Sequence, residues 1–294
     1  MAPAGNAEPK DLTAKDAFDR IGKIVQGIAY AEASKHGGSL KGSLSKVNFN
    51  GETTKVTNPC ELDYNYETSV TSGHSYPCEG RQRVRFSDTN QSYCYRSAIK
   101  GNDHNSGSCA PFRKLHMCDR NLEEIEPEKI ISTDNLLVDV LLAAKHEGES
   151  LVEKHKKFKQ ENSNFNTNIC TVLERSFADI GDIIRGKDLF LGHNQRKKKL
   201  EERLEQMFKN IQKNNAKLEG LSIEKVREYW WALNRDQVWK AITCEAEVED
   251  KYSKTANGNT TLWNDKCGHD NDNVPTNLDY VPQYLRWFEE WAED

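Results

Sequence analysis

Asp179 and Asp182 lie three residues apart in a stretch with helical periodicity, so their carboxylates share a face, as acid–base catalysis requires. Arg175 precedes Asp179 by four positions and Arg185 follows Asp182 by three, and ordinary helix ion pairs are the preferred reading of these residues. The run Gly37-Gly38-Ser39-Leu40-Lys41-Gly42-Ser43 has the glycine spacing of a phosphate loop. Ser43 stands where the phosphate-binding lysine belongs, so a flexible linker is expected instead. Ser106-Gly107-Ser108-Cys109 has small residues around a thiol, as some cysteine nucleophiles do, although half of a disulfide is the stronger expectation. Cys109, His116 and Cys118, or Cys267 with His269, fail the ligand spacing of zinc sites. Neither H-E-x-x-H nor G-x-S-x-G occurs. These residues point away from an enzyme and imply no metal and no cofactor.

Three basic clusters are better candidates for function: Lys156-Lys157-Phe158-Lys159, Arg196-Lys197-Lys198-Lys199 and Arg81-Gln82-Arg83-Val84-Arg85. A sulfated polysaccharide presents dense charge without a fixed sequence, so cations gathered within one turn or strand edge can hold it electrostatically. The competing expectation for each cluster is a solvated face, and Glu201, Glu202 and Glu205 dilute the second one. Over the whole chain 41 Lys and Arg face 46 Asp and Glu, a net charge of -5, which excludes a global polycation and any nucleic-acid role built on one. Binding of a polyanion must come from local patches.

At 294 residues, two units around separate cores are the starting expectation. No run approaches the ~18 apolar residues of a membrane span. Six Trp, 10 Tyr and 10 Phe supply the burial that disordered chains lack. The eight cysteines, none in a C-x-x-C pair, read as a disulfide framework formed in an oxidising compartment. The amino terminus, however, lacks the apolar core of a conventional secretory signal.

Periodicity predicts the elements that carry these groups. Thr13-x-x-Asp16 opens an amphipathic helix with Phe18, Ile21, Val25 and Ile28 on one face, which needs a partner surface, ending at Gly37-Gly38. Leu40 to about Glu128 has little periodicity beyond a hairpin signal at Asn50-Gly51, and its five cysteines must hold it together. Helices then follow from a cap at Ser132, Thr133 or Asp134 through Phe158 despite Gly148, from Asn168 to Ile184, from Asn194 to Ala216, and after Ser222. A polar loop is expected from Tyr252 to Asn277. The last helix opens at Asp279 with two apolar stripes, Val281/Leu285/Phe288/Ala292 and Tyr284/Trp287/Trp291, which implies that the natural protein continues and covers both. If the second and fourth of the later helices are antiparallel neighbours, Cys170 pairs with Cys244, closing about 75 residues for roughly 4 kcal/mol. Five cysteines before Pro127 and Cys267 then remain, so either one bridge joins the two regions or partners lie in a continuation.

Leu173 to Leu189 (LERSFADIGDIIRGKDL), Trp239 to Cys244 (WKAITC) and Asp279 to Trp291 (DYVPQYLRWFEEW) closely resemble signatures of Duffy-binding-like domains, and Leu115 to Leu122 (LHMCDRNL) extends the match. They are similar to the α-type head domain of the erythrocyte membrane protein 1 family, the variant adhesins that malaria parasites display on infected red cells. Glu174 departs from the family's usual small residue and is expected on an exposed helix face. The resemblance implies a mainly α, Duffy-binding-like fold. It comprises an N-terminal segment at 1–50, a loop-rich, disulfide-held first subdomain at 51–128 and a helical-bundle second subdomain at 129–294, with a third subdomain missing. It further implies adhesion without catalysis at the infected-cell surface, with anchoring elsewhere in the full-length protein and no membrane contact by this segment. The implied partners are host red-cell or endothelial glycans and receptors, heparan sulfate and blood-group sugars among them, and antibodies. A structural and antigenic head whose neighbour binds the receptor is the alternative.

Overall fold

The computed structural model describes residues 13–293 apart from 50–51, 54–55, 71–75, 82–84, 87–91, 104–106, 193–195, 257 and 272. Six helices of eleven residues or more dominate the described residues: α1 (Ala14–Ala33), α2 (Thr133–Glu161), α3 (Ile169–Arg185), α4 (Lys197–Lys213), α5 (Ile223–Ile242) and α6 (Gln283–Glu293). Four of the six expected start signals work as caps, whereas the helix expected to open at Asp279 begins at Gln283, after a separate turn at Leu278–Tyr280. Thr13, Ser132, Asn168 and Ser222 accept backbone N–H groups of the first turns of α1, α2, α3 and α5. Gly186 closes α3 in the left-handed conformation, φ 74°, where a side chain would be strained.

The core lies where α2, α3 and α5 pack together. Leu136, Leu137, Val140 and Leu141 of α2, Phe177 of α3, and Trp230, Trp231 and Trp239 of α5 are all buried. Phe177 meets Trp231 and Trp239 with ring centroids 5.3 Å apart in each case. Gly148 sits inside α2 because α5 ends against it: a Cβ there would lie 1.9 Å from the Ile242 carbonyl oxygen. The glycine that weakens the helix in isolation thus permits the end of α5 to pack directly against α2.

Between residues 56 and 131 the described chain forms turns, short helices and a two-residue strand pair, Ser92–Tyr93 with Ala110–Pro111. Side chains from α2 pin it down. Asp139 accepts from Thr68 Oγ1 at 2.7 Å and from the Ser69 amide, and burial raises its carboxyl to about 6 despite those bonds. The strands Asn48–Phe49 and Glu52–Thr53 pair around the expected hairpin, whose Asn50-Gly51 turn lies outside the described residues.

Several expectations are corrected. The inward stripe of α1 is Asp16, Asp19, Gly22 and Ala33, while Ile21, Ile24, Val25 and Ile28 face outward. The acids win because the chain beyond α5 needs them: Asp16 accepts from the Thr255 amide at 2.9 Å, and Asp19 from the Asn277 amide at 2.5 Å and from Lys254 Nζ at 2.8 Å. There a folded segment replaces the loop predicted for Tyr252 to Asn277. Tyr252–Ala256 and Asn259–Trp263 form an antiparallel hairpin, for which Asn257-Gly258 was the available sequence signal. The first helix ends at Ala33, short of Gly37-Gly38, and a single turn and Gly37–Leu40 carry the chain on helically. Both stripes of the last segment are split: Val281 and Trp287 are buried, whereas Phe288 of the first and Tyr284 and Trp291 of the second are exposed.

The predicted Cys170–Cys244 bridge is also overturned. Cys60 pairs with Cys244, Cys170 with Cys267, Cys78 with Cys118 and Cys94 with Cys109, and no free cysteine occurs among the described residues. Although α3 and α5 do pack together, the chain beyond the hairpin returns Cys267 to the start of α3, and the Pro59–Glu61 turn delivers Cys60 to the end of α5. One bridge therefore joins the two regions, across 184 residues. In the chain-entropy model a loop of that size contributes at most about 5 kcal/mol. Proteolysis of the oxidised protein followed by mass analysis is expected to recover Cys60 linked to Cys244 and Cys170 linked to Cys267. A Cys170–Cys244 peptide would show the first pairing to be right.

Candidate functional site

Every residue of α3 is buried, including the five that carry charge. Asp179 accepts from Arg113 Nη2 at 2.7 Å and Arg286 Nη2 at 2.8 Å, and from Gln283 Nε2 at 3.0 Å. Burial alone would raise its carboxyl, but the charges of Arg113, Lys114 and Arg286 outweigh that and hold it well below the usual carboxylate range. Asp182 is bound by Arg286 at 2.6 Å and by Arg185 at 3.0 Å. Ion pairing is thus what these carboxylates do, but only Asp182 takes the expected partner. Arg175 pairs with Glu289 of α6 at 3.4 Å instead of with Asp179. Glu174, expected on an exposed face, is fully buried and accepts from Tyr252 Oη at 2.5 Å and from Thr276 Oγ1.

The same demand for partners absorbs the cluster at 81–85. Arg81 donates to the Met117 carbonyl at 2.8 Å, to Asp119, and to Glu123 at 3.0 Å. Arg85 is 2% exposed and pairs with Glu147 of α2 at 2.5 Å. Glu147 also accepts from the Cys118 amide at 2.9 Å and from Ser176 Oγ at 2.7 Å, so Arg85 fastens α2, α3 and the first disulfide-held loops together. Neither arginine presents a free charge to solvent, which corrects their assignment to a glycan surface. Arg83 lies outside the described residues.

The other two clusters divide more finely. At the end of α2, Lys157 and Lys159 are exposed, and Lys156 forms an exposed pair with Glu247 at 2.6 Å. At the start of α4, Lys197 turns inward to Asp119 and Glu123, at 2.5 and 2.7 Å. Arg196, Lys198 and Lys199 are exposed and have no ion pair among the described residues.

Beside Lys198 the structure adds two cations that linear scanning missed. Ile99 bridges to Phe190, the Lys100 amide donates to the Leu189 carbonyl at 2.8 Å, and the Leu191 amide to Ala98 at 2.7 Å. This joint brings Arg96 and Lys100 from the loop-rich half to the rim of a cleft of about 570 Å³ that Lys198 also lines, over a floor that includes Ile99, Phe190 and Leu200. Two of the lining acids are already paired, Asp188 with Lys114 and Glu201 with Arg227, which leaves Glu202 against three exposed cations. Arg96 and Lys100 stand singly in sequence, and only the bridge to Phe190 makes them part of a cluster.

A helical scaffold is stitched by four disulfides, with carboxylates paired inside and cations left outside among the described residues. Comparison with known proteins gives its family. A family model described as the Duffy binding domain matches residues 107–286, and one for N-terminal segments of PfEMP1 matches residues 13–48. The chain belongs to the Duffy-binding domain family and carries a PfEMP1-type N-terminal segment. It is 37% identical to the N-terminal NTS-DBL1-alpha and CIDR-gamma double domain of PfEMP1 from the Plasmodium falciparum varO strain, covering 95% of this chain and 43% of that one with a TM-score of 0.85. An ICAM-1-binding PfEMP1 DBLbeta domain is 27% identical over 93% of this chain and 62% of its own, with a TM-score of 0.73. The Duffy receptor of Plasmodium vivax is 26% identical over 63% of this chain, which spans only 15% of the receptor's length. The fold is accordingly the Duffy-binding-like fold. Among the described residues, no helix is long and apolar enough to cross a membrane.

The placement of Arg85 yields a direct expectation. Replacing it with methionine leaves Glu147 buried without its cation and costs about 3 kcal/mol, read as a lower urea midpoint, while heparin retention of the folded fraction stays at the parental level. Unchanged stability together with weakened retention would place Arg85 at the surface after all.

Proposed function

We propose that this chain is an adhesion module of an infected-erythrocyte surface protein, working through its exterior without catalysis, and that it holds sulfated host glycans such as heparan sulfate. The observation that carries this reading is the cleft at which Arg96, Lys100 and Lys198 converge, with Arg196 and Lys199 beside Lys198 in the chain. Several exposed cations at a concave rim attract a polyanion more strongly than the same charges dispersed, and the attraction weakens as salt screens it. Lys156, Lys157 and Lys159 form a second, weaker patch, since Glu247 already offsets one of the three. In this reading, the divisions at 1–50, 51–128 and 129–294 serve one adhesive unit, and rosetting or cytoadhesion and antigenic variation are its biological outcome. Host receptors and antibodies meet the same exterior.

The outward apolar stripes, Ile21/Ile24/Val25/Ile28 on α1 and Tyr284/Phe288/Trp291 on α6, favour a second reading, in which the module chiefly supports an adjoining body that binds the receptor. Heparin-column retention separates the two. Charge reversal of Arg96 and Lys100, or of Lys198 and Lys199, to glutamate is expected to lower affinity at least about tenfold at physiological salt. Reversal of Lys156, Lys157 and Lys159 is expected to have a smaller effect. If all three variants bind like the parent, the polysaccharide assignment fails, and a parent silent on immobilised glycans favours the supporting role.

A further inference from the structure

Of the four disulfides, only Cys60–Cys244 crosses from the loop-rich half to the helices. Its two ends differ in access. Cys244, just past the end of α5, is 5% exposed, whereas Cys60 is half-buried in the Pro59–Glu61 turn, beside the exposed Glu61. A reagent arriving from solvent therefore meets the Cys60 sulfur first.

His269 stands at that sulfur. Its Nε2 lies 3.7 Å from Cys60 Sγ, and its Nδ1 lies 2.8 Å from Thr243 Oγ1. The Thr243 hydroxyl donates its proton back onto α5, to the Trp239 carbonyl at 2.7 Å. Its oxygen is then left to accept from Nδ1–H, which puts the ring's lone pair on Nε2, the atom that faces the sulfur. Burial lowers the pKa of the imidazole; Asp270 opposes this, and Lys266 and Lys240 add to it, so the ring is neutral at physiological pH. Thiol–disulfide exchange calls for a group of this kind, because an incoming thiol is a poor nucleophile until it loses its proton.

We infer that Cys60 is a modification site for a small monothiol, with His269 as the base that activates the incoming group. The thiol gives its proton to His269 Nε2, and the thiolate so formed attacks Cys60 Sγ. A bond forms between those two sulfurs, the Cys60–Cys244 bond breaks, and Cys244 leaves as a thiolate that takes the proton His269 holds. One protein disulfide becomes one mixed disulfide and one protein thiol, so no oxidant or reductant is consumed. The covalent tie between the two halves is then open, and ion pairs and packing hold them together.

Incubating the folded, oxidised protein with glutathione, quenching with acid and mapping the peptides by mass tests this. Glutathione is expected on Cys60, with Cys244 recovered as a free thiol. His269→Gln should slow that reaction at least about tenfold. The more open Cys94–Cys109 bridge is the internal reference and should react at the parental rate in the variant. Cys170 and Cys267 are 1% and 0% exposed, and their bridge, two residues from His269, stays closed if the variant is folded there. A second readout needs the parent alone. Between about pH 8 and pH 7 the reference rate should fall about tenfold with the glutathione thiolate, while the Cys60 rate stays nearly level, because the base supplies the thiolate on the spot. Glutathione on Cys244 in place of Cys60, no adduct on either, an undiminished rate in the variant, or a Cys60 rate that falls in step with the reference would each overturn the assignment.

Discussion

A helix buried on all sides cannot leave a charge without a partner, and α3 carries five of them through the centre of this protein. Their partners come from every direction. Arg113 arrives from the disulfide-held loops, Glu147 from α2 by way of Ser176, Arg286 and Glu289 from α6, and Tyr252 and Thr276 from the hairpin and the segment beyond it. The bonds run on without a gap from Arg85 through Glu147, Ser176, Arg113, Asp179, Arg286 and Asp182 to Arg185. Apolar burial is ample among α2, α3 and α5 but sparse between residues 56 and 131. In that half, ion pairs and disulfides supplement a thin set of core residues such as Leu62, Met117, Leu122 and Ile125.

The same requirement sorts the cations into structural and available ones. Arg81, Arg85 and Lys197 belong to runs that look alike in sequence, yet each is drawn inward because a buried carboxylate needs it. What remains outside is a smaller set, and the joint between Ile99 and Phe190 places two members of it beside Lys198. Rigidity and recognition are therefore linked. The lattice that fixes the loop-rich half against the helices also fixes the spacing of the cations at their junction.

How much of this was legible in the sequence depends on the range of the interaction concerned. Caps and periodicity are local, and Thr13, Ser132, Asn168, Ser222 and Gly186 marked helix ends at the right places. The long signature runs identified the fold. Burial of polar groups is not local: nothing near Glu174 in sequence shows that Tyr252 and Thr276 will close over it, and it was expected outside. On α1 the rule that apolar faces turn inward failed, because Asp16 and Asp19 found backbone donors on the hairpin and on the segment beyond it, more than two hundred residues away. Disulfide pairing failed for the same reason. Cys170 and Cys244 lie at ends of neighbouring helices, and the loops that carry Cys60 and Cys267 settled the matter. Of the candidate site, Lys198 and Lys199 were visible as a run, whereas Arg96 and Lys100 became visible only through tertiary pairing.

Arg113 and Asp179 join the two halves as a coupled pair within a matched lattice. A double-mutant cycle measures the coupling directly, with urea unfolding of the parent, Arg113→Met, Asp179→Asn and the double variant. Each single change is expected to cost about 3 to 5 kcal/mol, with the double variant less destabilised than the sum by more than about 1.5 kcal/mol. Additivity within about 0.5 kcal/mol would mean that the two residues act independently and that the halves are held by something else.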